Sequence, residues 1–275
     1  MNNGTTTNRR FAFGANWQNF LSVLNEERIA EATRSLQAMM ELEHLAGKSF
    51  IDVGCGSGLF SLAARRLGGR VHSFDYDADS VSCAQDLKNN HFPDDEDWTI
   101  EHGSVLDKSF IKELRAFDVV YSWGVLHHTG DMWNAIESVC GLVKPGGVLF
   151  LSIYNDQGRW SVRWRQVKRW YNALPRLART PYVALVALPF ELRALIAFSV
   201  RLRPDLYLRR WTHYKESRGM SRWHDWVDWV GGYPYEVARP EDVIHFLYAR
   251  HFVLTRLKTV GGNLGCNEFV FRKAD

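Results

Sequence analysis

The chain has 275 residues, 46% of them hydrophobic and 24% charged, which is a globular composition with enough length for one sizeable core, or one core plus an inserted subdomain. Disorder, collagen-like repeats and a disulfide-stapled miniprotein are excluded. The formal charge is only +3, yet residues 155–222 hold 15 Lys/Arg against 4 Asp/Glu, a local +11 that leaves −8 for the remainder.

Between residues 17 and 45, Phe20, Leu21, Leu24, Ile29, Ala30, Leu36, Met39 and Met40 recur at helical spacing and predict one or two amphipathic helices, an N-terminal cap over residues 1–45. From Lys48 short β-rich runs alternate with helical segments. Strands are expected at Ser49–Val53, Arg70–Asp75, Trp98–Gly103, Phe117–Trp123 and Val148–Tyr154, with helices near Leu59–Leu67, Ala78–Asn90, Ser109–Leu114 and Met132–Leu142. Strand and helix at this spacing imply βαβ units and a doubly wound α/β fold with a parallel sheet. The alternation stops for about 80 residues and resumes with a helix at Pro240–Arg250 and strands at Phe252–Val260 and Cys266–Arg272. The expected organisation is one α/β domain from residues 46–154 and 236–275, with a helical insertion over 155–235 after the fifth strand.

Cys55, Cys83, Cys140 and Cys266 form no CxxC or Cys/His pair at metal-ligand spacing. Neither a metal site nor a disulfide framework is therefore expected, and a reducing, cytoplasmic compartment is. Met1 to Arg10 is polar and lacks the apolar core of a signal peptide. The most apolar stretch, Tyr182 to Val200, is interrupted by Pro189, Glu191 and Arg193. A bilayer-spanning helix needs about 20 mostly apolar residues, so a peripheral position in the membrane interface is the form of lipid contact expected here.

The chemistry-bearing motif is Ile51-Asp-Val-Gly-Cys-Gly-Ser-Gly58, which closes the first strand and opens the first helix of the α/β region. Glycines at 54, 56 and 58 let the backbone turn tightly and approach a ligand without a Cβ in the way, although a turn packed closely for steric reasons uses the same residues. Asp75 ends the second strand 21 residues after Gly54, where a carboxylate can accept both hydroxyls of an adenosine ribose. A dinucleotide site would share this geometry.

The Asp52-Val-Gly-Cys-Gly-Ser-Gly loop, Asp75, the Val125-Leu-His-His128 run after the fourth strand and Val143-Lys-Pro-Gly-Gly147 before the fifth resemble the class I S-adenosylmethionine-dependent methyltransferases. The resemblance covers residues 48–154 closely and 240–275 loosely. It implies a seven-stranded Rossmann-like sheet whose last strand is antiparallel, with S-adenosylmethionine across the carboxyl ends of the strands and S-adenosylhomocysteine as product. GxGxG in place of GxGxxG favours the methyl donor over a nicotinamide. Gly54, Gly56 and Gly58 would give the methionine part backbone access, and Asp52 would orient the loop or reach the amino group through water, unless it is a loop-stabilising carboxylate. Gly103-Ser104 replaces the Gly-Asp of many members, so adenine would be held by the backbone of Ser104 and Val105, or by Asp107. Ser122 and Trp123 would line the cofactor pocket, with a core role for the tryptophan as the alternative.

His127 and His128 lie where an acceptor should sit, and either imidazole can take a proton near neutral pH. Because adjacent residues point differently, at least one is expected to be structural. The ubiquinone O-methyltransferases carry Glu-His at this place. The loss of that carboxylate argues against both a metal and that activity.

At the N-terminus, Phe13, Gly14 and Trp17 either close the cofactor pocket as a lid or staple the cap helix to the core. The insertion is expected to form a substrate lid. It holds Trp160, Trp164, Trp170, Trp211, Trp223, Trp226 and Trp229, with Arg163, Arg165, Lys168 and Arg169 read as a basic helical face. These residues fit a helical core, a nucleic-acid clamp or a basic surface resting on anionic lipid, and the uncharged apolar stretch ranks lipid above nucleic acid. His224, Asp225 and Tyr233, set among aromatics, are candidate acceptor contacts, with a packed hinge as the alternative. The expected function is methyl transfer to a small, lipophilic or aromatic acceptor. A nucleic-acid methyltransferase, or a non-methylating S-adenosylmethionine-binding relative or regulator, is the alternative, and for the apolar stretch a homodimer interface is the alternative to lipid.

Overall fold

The computed structural model describes residues 24–212 and 222–275. Of these, residues 24–158 with 236–275 form one compact unit and residues 159–212 with 222–235 a second. In the first unit the elements follow as α1 (Glu26–Met40), β1 (Ser49–Val53), α2 (Leu59–Arg66), β2 (Arg70–Asp75), α3 (Ala78–His91), β3 (Trp98–His102), α4 (Lys108–Glu113), β4 (Phe117–Trp123), a single 3-10 turn (Leu126–His128), α5 (Met132–Gly141) and β5 (Val143–Tyr154). After the second unit come α10 (Pro240–Tyr248), β6 (Phe252–Lys258) and β7 (Cys266–Lys273).

The seven strands lie in the order β3-β2-β1-β4-β5-β7-β6. The first five run parallel, and β7 is antiparallel to both β5 and β6. Because side chains alternate across a strand, β1 feeds two cores at once. Phe50 packs with Ile29 and Leu36 of α1, Leu62 of α2 and Leu87 of α3 on one face. Ile51 and Val53 pack with Ile136 and Val139 of α5 and Val243 and Leu247 of α10 on the other.

The Val143-Lys-Pro-Gly-Gly147 segment, expected to precede the fifth strand, is the opening of β5. It bulges against β4, where the register jumps between Phe117↔Val143 and Val119↔Val148. Asp118 holds it from below, accepting bonds from Lys144 Nζ at 2.8 Å and from Ser49 Oγ at 2.6 Å.

The second unit comprises α6 (Arg159–Ala173), α7 (Arg176–Val200), α8 (Pro204–Thr212) and α9 (Arg222–Gly231). Two readings of the sequence are corrected here. Lys168 does not belong to a solvated basic face: it is fully buried, donates to the Trp229 carbonyl, and sits 4.5 Å from the Trp229 ring centroid and 4.9 Å from that of Tyr235. Burial pushes its ammonium down to about 7, against the opposing charge of Asp228. The apolar stretch is likewise not interrupted. α7 runs through Pro181 and Pro189 for 25 residues, and by length and composition it is a helix able to cross a membrane.

Glu191 does not break that stretch because it turns inward. It accepts from Arg222 Nε at 2.9 Å, Arg222 Nη2 at 2.5 Å and Trp226 Nε1 at 2.8 Å. The tryptophans divide between core and surface: Trp164 is buried and meets Trp229 edge-on at 5.4 Å, whereas Trp160, Trp170 and Trp211 are exposed.

Candidate functional site

The loop after β1 turns through three glycines in the left-handed region, Gly54, Gly56 and Gly58, at φ 78°, 53° and 79°, a conformation that a Cβ disfavours. At Gly54 space forbids a side chain as well, since a Cβ would lie 2.4 Å from Val125 Cγ1. The first glycine is thus pressed against the segment that follows β4. The loop is also tied to β2. Gly54 and Cys55 both donate their N–H to the Phe74 carbonyl, and the Gly56 N–H donates to Asp75 Oδ2 at 2.9 Å.

Asp75 therefore has two tasks. Its Oδ1 accepts from the Asp77 N–H at 2.9 Å, so each oxygen takes one backbone amide and keeps lone pairs for a further donor. Burial pushes its carboxyl above the usual range, while the Asp77 and Gly56 amides pull it down.

Of the roles expected for Asp52, its position matches the loop-supporting one. It is buried at 3% exposure beneath the loop and accepts from Ser61 Oγ at 2.6 Å. Ser61 Oγ in turn accepts from Ser73 Oγ at 2.8 Å, and Ser73 Oγ from Trp98 Nε1 at 3.0 Å. This chain of neutral donors crosses β1, α2, β2 and β3. Burial pushes the Asp52 carboxyl up to about 7, with the Ser61 bond acting against it. The carboxylate supports the loop from below through Ser61.

At the end of β3, Ser104 turns back on its own segment, its Oγ accepting from the Leu106 N–H at 3.2 Å. The Val105 side chain is buried, leaving only its backbone to a ligand. Asp107 is the N-cap of α4, where its Oδ1 accepts from the Ser109 N–H at 2.9 Å and the Phe110 N–H at 3.3 Å.

At the end of β4 the neighbours Ser122 and Trp123 separate. Ser122 is wholly buried and donates to the Val53 carbonyl at 3.1 Å, joining β4 to β1 instead of lining a pocket. Trp123 is 46% exposed, so a core role is overturned. Its Nε1 reaches Glu268 Oε1 of β7 at 3.2 Å.

The two histidines differ in burial, His127 being fully buried and His128 half-exposed. Their ring centroids are 4.6 Å apart, and Tyr154, at the end of β5, packs against both, 4.0 Å from His127 and edge-on to His128 at 5.4 Å.

The sequence reading had missed the residues that hold this turn. The Glu236 N–H donates to the His127 carbonyl at 3.0 Å, and the Glu236 carboxylate accepts from the Met132 N–H at 3.1 Å, capping α5 from 104 residues away. Beside it, Asn267 Nδ2 donates to Asn155 Oδ1 at 3.0 Å, and Asn155 Nδ2 to the Gly261 carbonyl at 2.8 Å, fixing the loop between β6 and β7. None of these pairs has a local signal; only the alternation of β5 marks Tyr154 as a tip residue.

The first unit thus brings Gly54, Gly56, Gly58, Asp75, Trp123 and His128 to the carboxyl ends of β1, β2 and β4. Such a set can hold a polar ligand on backbone amides and a carboxylate, beside an apolar ring and an imidazole. Trp17, Phe13 and Gly14 lie outside the described residues, as does the side chain of His224. Asp225 and Tyr233 fall in the second unit, on α9 and in the turn after it, and both are half-buried. A groove of about 650 Å³ beside α4, lined by His72, Glu101, Phe110 and Arg115 among others, does not include the glycine loop.

The fold recurs in known proteins. A family model described as a methyltransferase domain matches residues 24–187. The tRNA U34 carboxymethyltransferase of Methylococcus capsulatus is 36% identical over 115 residues, 42% of this chain and 34% of that protein. A ubiquinone biosynthesis O-methyltransferase of Actinobacillus pleuropneumoniae is 32% identical over 116 residues, 40% of this chain and 47% of that protein. The chain thus spans less than half the length of these curated relatives. Among solved structures, magnesium protoporphyrin IX methyltransferase of Synechocystis with bound SAM superposes with a TM-score of 0.51 at 12% identity, covering 90% of this chain and 80% of that one. An O-methyltransferase family protein of Burkholderia thailandensis gives 0.53 at 15% identity, covering 90% and 57%. At these identities the likeness is one of fold.

Proposed function

This chain belongs to the class I S-adenosylmethionine-dependent methyltransferases, and from that premise we propose that it moves a methyl group from S-adenosylmethionine to a small, largely apolar or aromatic acceptor, leaving S-adenosylhomocysteine. The observation that carries the reading is the glycine loop bonded to Asp75. The carboxylate already holds the Gly56 amide, and its remaining lone pairs are directed by that bond, ready for ribose hydroxyls.

The residues present fit the cofactor. Gly54 and Gly56 offer backbone without a Cβ, Asp75 offers acceptors, and the backbone at Ser104 and Val105 offers an edge for adenine. When bound, the cofactor supplies an electrophilic methyl on a sulfonium. The chain's own work is alignment and removal of a proton. His128 is the residue proposed to take that proton, and His127, packed against Tyr154, the residue that positions it. Trp123 presents an apolar ring at the tip of the sheet for the acceptor to rest on.

Calorimetry with S-adenosylmethionine, S-adenosylhomocysteine and NAD tests the cofactor, and binding of NAD alone would overturn it. Incubation with labelled donor and a cell extract tests the acceptor class. Label in an organic-soluble fraction supports a lipophilic acceptor, and label in RNA replaces it with the nucleic-acid reading. Cofactor binding without any label moves the chain to the non-methylating relatives.

A further inference from the structure

Helix α7 faces two ways. Val183, Ala187 and Glu191, at successive i,i+4 steps, are buried, and Glu191 anchors that face through Arg222 and Trp226. At 100° per residue, Leu185, Leu192 and Ile196 project roughly opposite Ala187, at 68%, 47% and 61% exposure, with Leu188, Leu195 and Val200 beside them at 52%, 37% and 77%. No charged residue lies on this outer face. Its charges sit at the margins: Arg176 and Arg179 in the first turn, Arg193 to one side, Arg201 and Arg203 just past the last turn.

From this arrangement we propose that the outer face of α7 is a docking surface for an anionic lipid bilayer, on which the helix lies in the interfacial plane. Two features select that occupant. An apolar stripe rimmed by arginines at both ends and along one side matches acyl chains below and anionic headgroups beside it. The segment around it carries +11, so a second copy docked through the same face would bring two such segments together, whereas an anionic surface neutralises them. The exposed Trp160, Trp170 and Trp211 of the same unit are the residue type that settles at headgroup depth. The helix lies on the bilayer and does not span it, because spanning would carry the Glu191–Arg222 pair and α9 into hydrocarbon.

This surface is independent of the methyl-transfer reading and is tested without substrate. The full chain is floated with vesicles of phosphatidylcholine alone and of phosphatidylcholine with phosphatidylglycerol, at low and high salt. The wild type should float with the anionic vesicles and come off as salt screens the arginines. Leu185→Glu with Leu192→Glu, both on the exposed side, should lower partitioning about tenfold or more. Its thermal melt and its titration with S-adenosylmethionine should remain those of the wild type. Equal flotation with neutral vesicles, flotation untouched by the leucine variants, or a salt-stable dimer that they disperse would each overturn the proposal. Asp75→Ala, in contrast, should weaken cofactor binding about tenfold or more and leave flotation as it was, which separates failure of one reading from failure of the other.

Discussion

In the α/β unit Asp52 is buried against neutral hydroxyls, whereas in the helical unit Glu191 is buried against a guanidinium. The first carboxyl lies at the end of a Trp98–Ser73–Ser61 relay built from consecutive βαβ elements, and its burial is eased by raising its pKa. The second joins α7 to α9 across 31 residues of sequence and is compensated by charge. A site supported by neighbours in sequence can keep its geometry through local turns. A unit cross-linked by one buried ion pair depends on both partners at once.

Removing one partner should therefore show the largest effect. Arg222→Ala leaves Glu191 buried without its counterion and should destabilise the chain by about 3–5 kcal/mol, read as earlier denaturant unfolding. Glu191→Leu combined with Arg222→Met should recover much of that loss. If the single and double variants unfold alike, the pair does not hold α7 to α9.

The Asp52 relay makes an opposite, pH-dependent prediction. Because its pKa is about 7 when folded against an ordinary value of 3.8, the folded chain holds a proton that the unfolded chain has lost. The stabilisation is fully present below pH 4 and is lost as pH rises through about 7. The slope approaches about −1.4 kcal/mol per pH unit when the difference is one full proton. Asp52→Asn should flatten this component in denaturation measured from pH 4 to 8.

The glycine loop comes next. Gly54→Ala adds a Cβ 2.4 Å from Val125 Cγ1 at a φ of 78°, and overpacking of this kind costs about 1–3 kcal/mol. The companion change Val125→Ala should ease the clash, leaving a tight 3.0 Å approach to the residue's own Cβ and the backbone strain. Asp75→Ala should weaken cofactor binding by about 1.5–3 kcal/mol, the worth of hydrogen bonds to a charged group, measurable by calorimetry. The smallest effect is expected at Trp123→Phe, which removes the 3.2 Å bond to Glu268 and should cost about 0.5–1.5 kcal/mol. An effect on label transfer far beyond that would place the indole at the acceptor.

What could be read from sequence were the features with local causes. The β1 loop was legible because three glycines and a strand-ending acid lie within one βαβ unit, and the parallel sheet with its antiparallel last strand followed from alternation plus family resemblance. The direction of the side chains was less legible. Asp52 and Asp75 are both acids at strand ends, yet one faces a serine below the loop and the other the Gly56 amide above it. Ser122 and Trp123 are adjacent in β4, and the pleat sends one into the sheet and the other to its rim.

The amino-acid sequence by itself determined the α/β class, the glycine loop, Asp75 and the basic, aromatic character of residues 155–222, because each follows from periodicity, local spacing or composition. Only the tertiary structure decided that Lys168 is buried on two aromatic rings, that Glu191 turns inward and leaves α7 with an unbroken apolar face, and that Glu236 caps α5 and holds the His127 turn. Those outcomes depend on partners 31 to 109 residues away. No local pattern encodes them, because hydrogen bonds and ion pairs between distant segments exist only once the chain has brought the two ends of each together.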